Sequence, residues 1–144
     1  MFYHFKVHQE DNGLWAECIE LEGCNTQADD IDQLKVNMHQ ALNLYLSEPE
    51  NSQVIFPLPL KTTTVSNIHL VKVDSAVALS FLLRRNRVLH ELTQVQVAKK
   101  LGFKNIWNYQ RLEKPSSANP TLSTLNKLQN IFPDLELNLI FNNH

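Results

Sequence analysis

The sequence predicts an α+β chain in two parts: a small antiparallel-containing sheet with one covering helix, followed by an all-α domain. Three observations carry that expectation. Residues 2–8 alternate apolar and polar at the strand period, whereas apolar residues from Ile31 onward recur at three- and four-residue spacing. From residue 76 the pattern is helical throughout, broken at Gly102 and at Lys114–Pro120. Charge also divides along the chain. Residues 1–60 hold ten acids against two bases, a net of −8, while residues 61–144 hold eleven bases against five acids, a net of +6. A split of that size indicates two domains with different partners, one basic and one acidic.

The elements follow in order. Tyr3, Phe5 and Val7 are expected to face a core, with His4, Lys6 and His8 on the other side of the first strand. Asp11-Asn12-Gly13 reads as a hairpin turn, because Asn-Gly accepts the positive φ that tight hairpins need. A second strand, Leu14 to Ile19, sets Leu14, Ala16 and Cys18 against Trp15, Glu17 and Ile19, and Glu22-Gly23 turns the chain into a short third stretch, Cys24 to Thr26. Asp29 or Asp30 caps a helix whose apolar face is Ile31, Leu34, Met38, Leu42 and Tyr45, with its end at Ser47-Glu48-Pro49. Residues 47–67 have no regular periodicity, yet Val54 to Leu60 is too apolar for a free linker and is expected to lie extended on its own domain or on a partner. Ile68 to Val73 reads as a fourth strand returning to the sheet. Domains of 1–73 and 74–144 result. In the second, Asp74 or Ser75 caps a helix from Ala76 to about Glu91 that leaves Arg84, Arg85 and Arg87 exposed, and further helices span 93–101, 104–113 and 121–131.

Composition excludes several classes. No apolar run approaches the roughly 20 residues of a membrane span, and the start of the chain has no charged and apolar sections of a signal peptide. Cys18 and Cys24 make no disulfide scaffold, lack metal-site spacing and read as small buried residues, which suits a reduced, cytoplasmic setting. His4 and His8 share a strand face but have no third ligand nearby, so they read as surface residues and not as a zinc site. Neither metal nor cofactor is expected.

The most informative stretch is Leu92-Thr93-Gln94-Val95-Gln96-Val97-Ala98-Lys99-Lys100-Leu101-Gly102-Phe103, followed by Lys104 to Lys114. Thr93 caps, Val97 and Leu101 line an inner face, small Ala98 admits the next helix and Gly102 supplies the turn, which together describe a helix-turn-helix. Over residues 76–141 the chain resembles the Cro/repressor-like (XRE-type) helix-turn-helix family through "LTQVQVAKKLG" and "RLEKPSSANPTLSTLNKL". The segment between Gly102 and Leu112 is one residue longer than that family's pattern. A recognition helix at about 104–113 would enter the major groove. Asn105 and Asn108 have the amide chemistry that pairs with adenine, while Lys104 or Arg111 is suited to guanine or phosphate. Trp107 lies on the same stretch and joins the candidate DNA contacts. The resemblance implies that Gln94 anchors the DNA backbone.

The first half resembles HicB antitoxins over residues 1–73, through Gly13-Leu14-Trp15-Ala16-Glu17, Leu21-Glu22-Gly23-Cys24, the acid-rich helix start and Ala41-Leu42-Asn43-Leu44-Tyr45-Leu46. That family's glycine before the helix is not evident in Thr26-Gln27-Ala28-Asp29. The resemblance implies a partial ribonuclease-H-like fold that binds and occludes a small basic HicA-like ribonuclease toxin. Nuclease chemistry in such folds needs carboxylates clustered around two metals. The first strand contains no acid and Glu17 has no evident second carboxylate, so no enzyme is expected. Asp11, Glu17, Glu20 and Glu22 are the acidic toxin-contact candidates, with Trp15 as an aromatic anchor. The whole reads as a type II antitoxin that also represses its own operon as a homodimer or higher even oligomer on palindromic operator DNA. The alternative is a repressor whose first domain senses a ligand or only oligomerises.

Overall fold

A computed structural model describes residues 1–47 and 52–141. The chain is α+β and divides into two compact units, Met1–Leu46 with Phe56–Val73, and Ser47–Ile55 with Asp74–His144.

The first unit is built on a four-stranded antiparallel sheet. Strands β1 (Phe2–Glu10), β2 (Gly13–Cys18), β3 (Asn25–Ala28) and β4 (Ile68–Lys72) lie in the order β3-β2-β1-β4. Register explains the burial. Phe5 stands opposite Cys18 and His69, Tyr3 opposite Val71 and Val7 opposite Ala16, so these side chains share one face. Helix α1 (Ile31–Leu46) packs against β2, β3 and β4 and contributes Leu34, Met38, Leu42 and Leu46 to a core with Tyr3, Phe5 and Ala16. Asp30 Oδ1 accepts the Gln33 N–H at 2.8 Å, which makes Asp30 the cap. Ile31 is exposed instead of buried, since the core stripe runs through Leu46, and Tyr45 sits at the stripe's edge, donating its hydroxyl to the Glu22 carbonyl at 2.6 Å. Glu48 and Pro49 of the expected helix stop lie outside the described residues.

The hairpin turns differently from its sequence signature. Its two loop residues are Asp11 and Asn12, since Glu10 pairs with Gly13, and positive φ among described non-glycine residues is confined to Asn67 and Glu91. Gly13 takes φ +142 as the first residue of β2, and a Cβ there would stand 2.8 Å from the Ala28 carbonyl oxygen. Glycine is thus needed for close approach of two strands as well as for its backbone angle. From Phe56 onward the extended segment lies on its own unit: Pro57 O accepts from the Tyr3 hydroxyl at 2.8 Å, and Phe56 tilts against Tyr45 with ring centroids 5.0 Å apart.

The second unit is helical. Helix α2 (Ser75–Leu89) is followed by α3 (Gln94–Lys100), α4 (Ile106–Gln110), a 3-10 turn at Arg111–Glu113, α5 (Leu122–Ile131) and α6 (Asn138–Phe141). Its buried apolar side chains include Val77, Phe81, Val97, Ala98, Leu101, Tyr109, Leu112, Leu128, Phe132 and Ile140. The short α6, which packs on α2, has no counterpart in the sequence expectation. Four residues are too few to show a helical period, so only packing reveals it. Among the described residues no helix is long and apolar enough to cross a membrane.

Candidate functional site

Two short helices and the turn between them form the best-defined site, and local chemistry specifies each end. Thr93 Oγ1 accepts the Gln96 N–H at 3.1 Å and Gln96 Oε1 accepts the Thr93 N–H at 2.8 Å, a reciprocal cap that starts α3. Gly102, at φ +78, donates to Lys99 O while Phe103 N–H donates to Ala98 O, the paired bonds of a glycine-terminated helix. Asn105 then caps α4 by accepting the Trp107 N–H at 2.9 Å.

The expected recognition helix over 104–113 is therefore shorter. Lys104 and Asn105 precede α4, because Asn105 is extended and spends its side-chain oxygen on the cap, and residues from Arg111 tighten into the 3-10 turn. Lys104, Asn105, Trp107, Asn108 and Arg111 all lie exposed on this short stretch. Trp107 is 56% exposed, and the Arg111 guanidinium lies 4.9 Å from its ring centroid. Lys99 and Lys100, at the end of α3, are exposed as well.

Beneath these residues is a buried polar network that the sequence reading missed. Arg87 grips Glu113 with two bonds, Nε to Oε2 at 2.6 Å and Nη2 to Oε1 at 2.9 Å, and donates from Nη1 to Leu92 O at 3.2 Å. The Tyr109 hydroxyl also donates to Glu113. Gln94 Nε2 donates to Glu113 Oε1 at 3.2 Å, and Gln94 Oε1 accepts from Gln110 Nε2 at 3.2 Å. Side chains from α2, α3 and α4 thus converge on one carboxylate. Burial raises the Tyr109 pKa well above its ordinary value, and the adjacent Glu113 charge adds to it. Burial alone would lower that of Arg87, but the hydrogen bond and charge of Glu113 outweigh it. Arg84 and Arg87 are buried and Arg85 half-buried, contrary to the exposed arginines expected. For Arg87 the reason is its paired carboxylate, which satisfies the charge inside. The available signal was one glutamate, four residues beyond a tyrosine, in an otherwise basic stretch. Gln94, half-buried, has part of its amide committed to this network.

In the first unit the acidic candidates fall into two groups. Asp11 is exposed in the hairpin loop. Trp15 stacks on His8 with centroids 4.0 Å apart and donates Nε1 to Glu10 Oε1 at 3.0 Å, while Glu17 accepts from His8 Nε2 at 3.3 Å. Trp15 and Glu17 belong to the sheet face opposite the α1 core, since they pair with His8 and Lys6. A polar groove beside Trp15 is lined by Glu10, Asn12, Gln27, Asp29, Gln33 and Asn37. Glu20 and Glu22 sit at the far end of β2. Glu22 is exposed, but the Glu20 side chain is 2% exposed and cannot offer itself to a partner. It accepts from His4 N–H at 3.0 Å, pairs with His4 Nδ1 at 2.7 Å and accepts from Leu60 N–H at 3.1 Å. His4 is buried by the same bonds and is not the surface residue expected. Among the described residues, no group of three or more His, Cys, Asp and Glu side chains is placed to hold a metal ion.

No protein-family model matches this chain, and no curated protein shows significant similarity to it.

Proposed function

We propose that this chain is the antitoxin of a type II toxin–antitoxin pair: a HicB-type first unit that covers a HicA-like mRNA interferase, and a helix-turn-helix second unit that represses the operon. The observation that carries the DNA half is the capped α3, the Gly102 turn and the short α4, which together present Lys104, Trp107, Asn108 and Arg111 to solvent from a rigid buried network. Such a helix suits the major groove, with Asn108 offering an amide to base edges and Lys104 and Arg111 a charge to phosphate. Gln94 would reach the backbone through the donor its network leaves over. Asn105 would contribute its Nδ2, its oxygen being committed to the cap. Two-fold pairing of the chain would match a palindromic operator.

Support for the toxin half is the family resemblance together with the acidic groups of the hairpin: Glu10 bonds Trp15, Glu17 bonds the His8 on which Trp15 stacks, and Asp11 is exposed in the loop. A toxin that grips RNA needs a basic surface, and an acidic face complements it while a tryptophan anchors the contact. Co-expression with the adjacent small reading frame should give a stable complex, and adding this chain should stop RNA cleavage by that partner. A neighbour that is neither bound nor toxic would overturn the antitoxin reading. The polar groove beside Trp15 favours a second reading, a repressor whose first unit senses a small polar ligand. Under it, operator binding responds to that ligand and ignores the neighbouring gene product.

A further inference from the structure

Cys18 and Cys24 face each other across the mouth of the β2–β3 turn. The register that pairs Glu17 with Asn25 places them directly opposite, and Cys18 N–H donates to Cys24 O at 2.8 Å. Hydrogen-bonded antiparallel partners have Cα atoms about 5.5 Å apart, inside the range that a disulfide spans. The return bond of a regular pair is not made, because Cys24 N–H donates to Leu21 O at 3.1 Å. Both side chains are buried and free, so neither is held by another cross-link.

We propose that Cys18 and Cys24 are a dithiol oxidation site, closing to a reversible intramolecular disulfide when the chain meets a hydroperoxide. Cys24 is the attacking sulfur. The neighbouring Cys18 thiol lowers the Cys24 pKa against the opposing effect of burial. The Cys24 neighbour, burial and the Glu20 charge raise the Cys18 pKa, and Cys18 Sγ donates to Glu20 Oε1 at 3.6 Å, so Cys18 stays a thiol. The Cys24 thiolate attacks the terminal peroxide oxygen and the O–O bond breaks, giving Cys24 sulfenic acid, while the departing alkoxide or hydroxide takes a proton to become alcohol or water. Cys18 sulfur then attacks Cys24 sulfur, losing its proton as hydroxide leaves, and water forms. Two thiols are oxidised, and the peroxide is reduced by two electrons. A dithiol reductant reverses the step by exchange. Because both sulfurs are buried, the reaction waits on opening of the loop Ile19–Gly23 and is slow. The chemistry is independent of what the first unit binds.

The test treats the full-length chain with hydrogen peroxide, then alkylates it under denaturing conditions and measures intact mass. The expected product has lost two hydrogens, takes up no alkylating agent, remains a single chain on non-reducing gels and regains both thiols with dithiothreitol. Its thermal midpoint for the first unit rises by roughly 10 °C. Cys18→Ser should leave Cys24 trapped as a sulfenic acid that dimedone labels. Two free thiols after prolonged peroxide, over-oxidation of one sulfur alone, or disulfide-linked dimers would each overturn the proposal. The wild-type mass decides even where a serine variant fails to fold.

Discussion

Glu113 is the residue on which the second unit turns, because three elements send donors to its one carboxylate. Removing one partner of a buried charge pair leaves the other uncompensated, which typically costs about 3–5 kcal/mol. Glu113→Ala should therefore lower the unfolding free energy of this unit by an amount in that range, read from denaturant titrations by far-UV circular dichroism. Tyr109→Phe should cost less, about 1.5–3 kcal/mol, since one hydrogen bond to the charged carboxylate is lost and the ion pair stays. A second charge contact acts through pH. Asp134 meets His90 Nε2 at 2.9 Å, and that hydrogen bond holds its carboxyl below the usual value of 3.8. A depressed folded pKa stabilises the fold above the unfolded value, and that contribution disappears as pH falls through the folded value. The stability difference between wild type and Asp134→Asn should thus be present near about pH 6 and vanish in strong acid. It will be small, because the pair is solvent-screened. At this scale the sequence was partly misleading. Arg87 and Glu20 look like surface charges in a string of letters, and only the placement of Glu113 and His4 shows why each is inside.

At the scale of elements, the helix ends were legible because capping is local chemistry. Thr93 with Gln96, and Gly102 at the end of α3, satisfy backbone groups within a few residues of themselves. A Cβ at Gly102 would meet nothing within 4 Å, so Gly102→Ala carries only the left-handed backbone penalty of about 1–2 kcal/mol. Gly102→Asn should cost less, and Thr93→Ala should cost about 1 kcal/mol through the lost cap. Equal losses for alanine and asparagine at residue 102 would show that backbone strain is not the cause. The hairpin was legible in position but not in mechanism. Asp-Asn-Gly announced a turn, whereas the demand on Gly13 comes from Ala28 on a strand the turn does not contain. The start of α4 moved for a related reason: Asn105 serves as a cap, a role its amide fills as readily as a base contact.

For the molecule as a whole, the charge division carries the expected behaviour of the proposed functions. Operator affinity should fall steeply with salt, and Lys104→Ala or Arg111→Ala should each flatten the slope of log K against log salt by about 1. Unchanged slopes in both variants would remove these side chains from the phosphate contacts. Asn108→Ala should instead lower discrimination between operator and unrelated DNA at matched salt. Binding of the proposed toxin should respond to Asp11 and Trp15, measured by calorimetry with the neighbouring gene product. It should be indifferent to surface access at Glu20, whose substitution acts through folding of the strand end.

By itself the sequence determined the periodicities, the caps, the turns and the charge division, all properties a few neighbouring residues or a simple sum decide. It placed every strand and the long helices within a few residues, and it put Lys104, Trp107, Asn108 and Arg111 on one short exposed stretch. Tertiary structure decided what depends on residues distant in the chain. It drew Arg87, Gln94, Tyr109 and Glu113 into one buried network, withdrew Glu20 from the surface, set Cys18 against Cys24 and gave α6 a partner. Burial and pairing of a charge are set by what lies across the core, which no local pattern records.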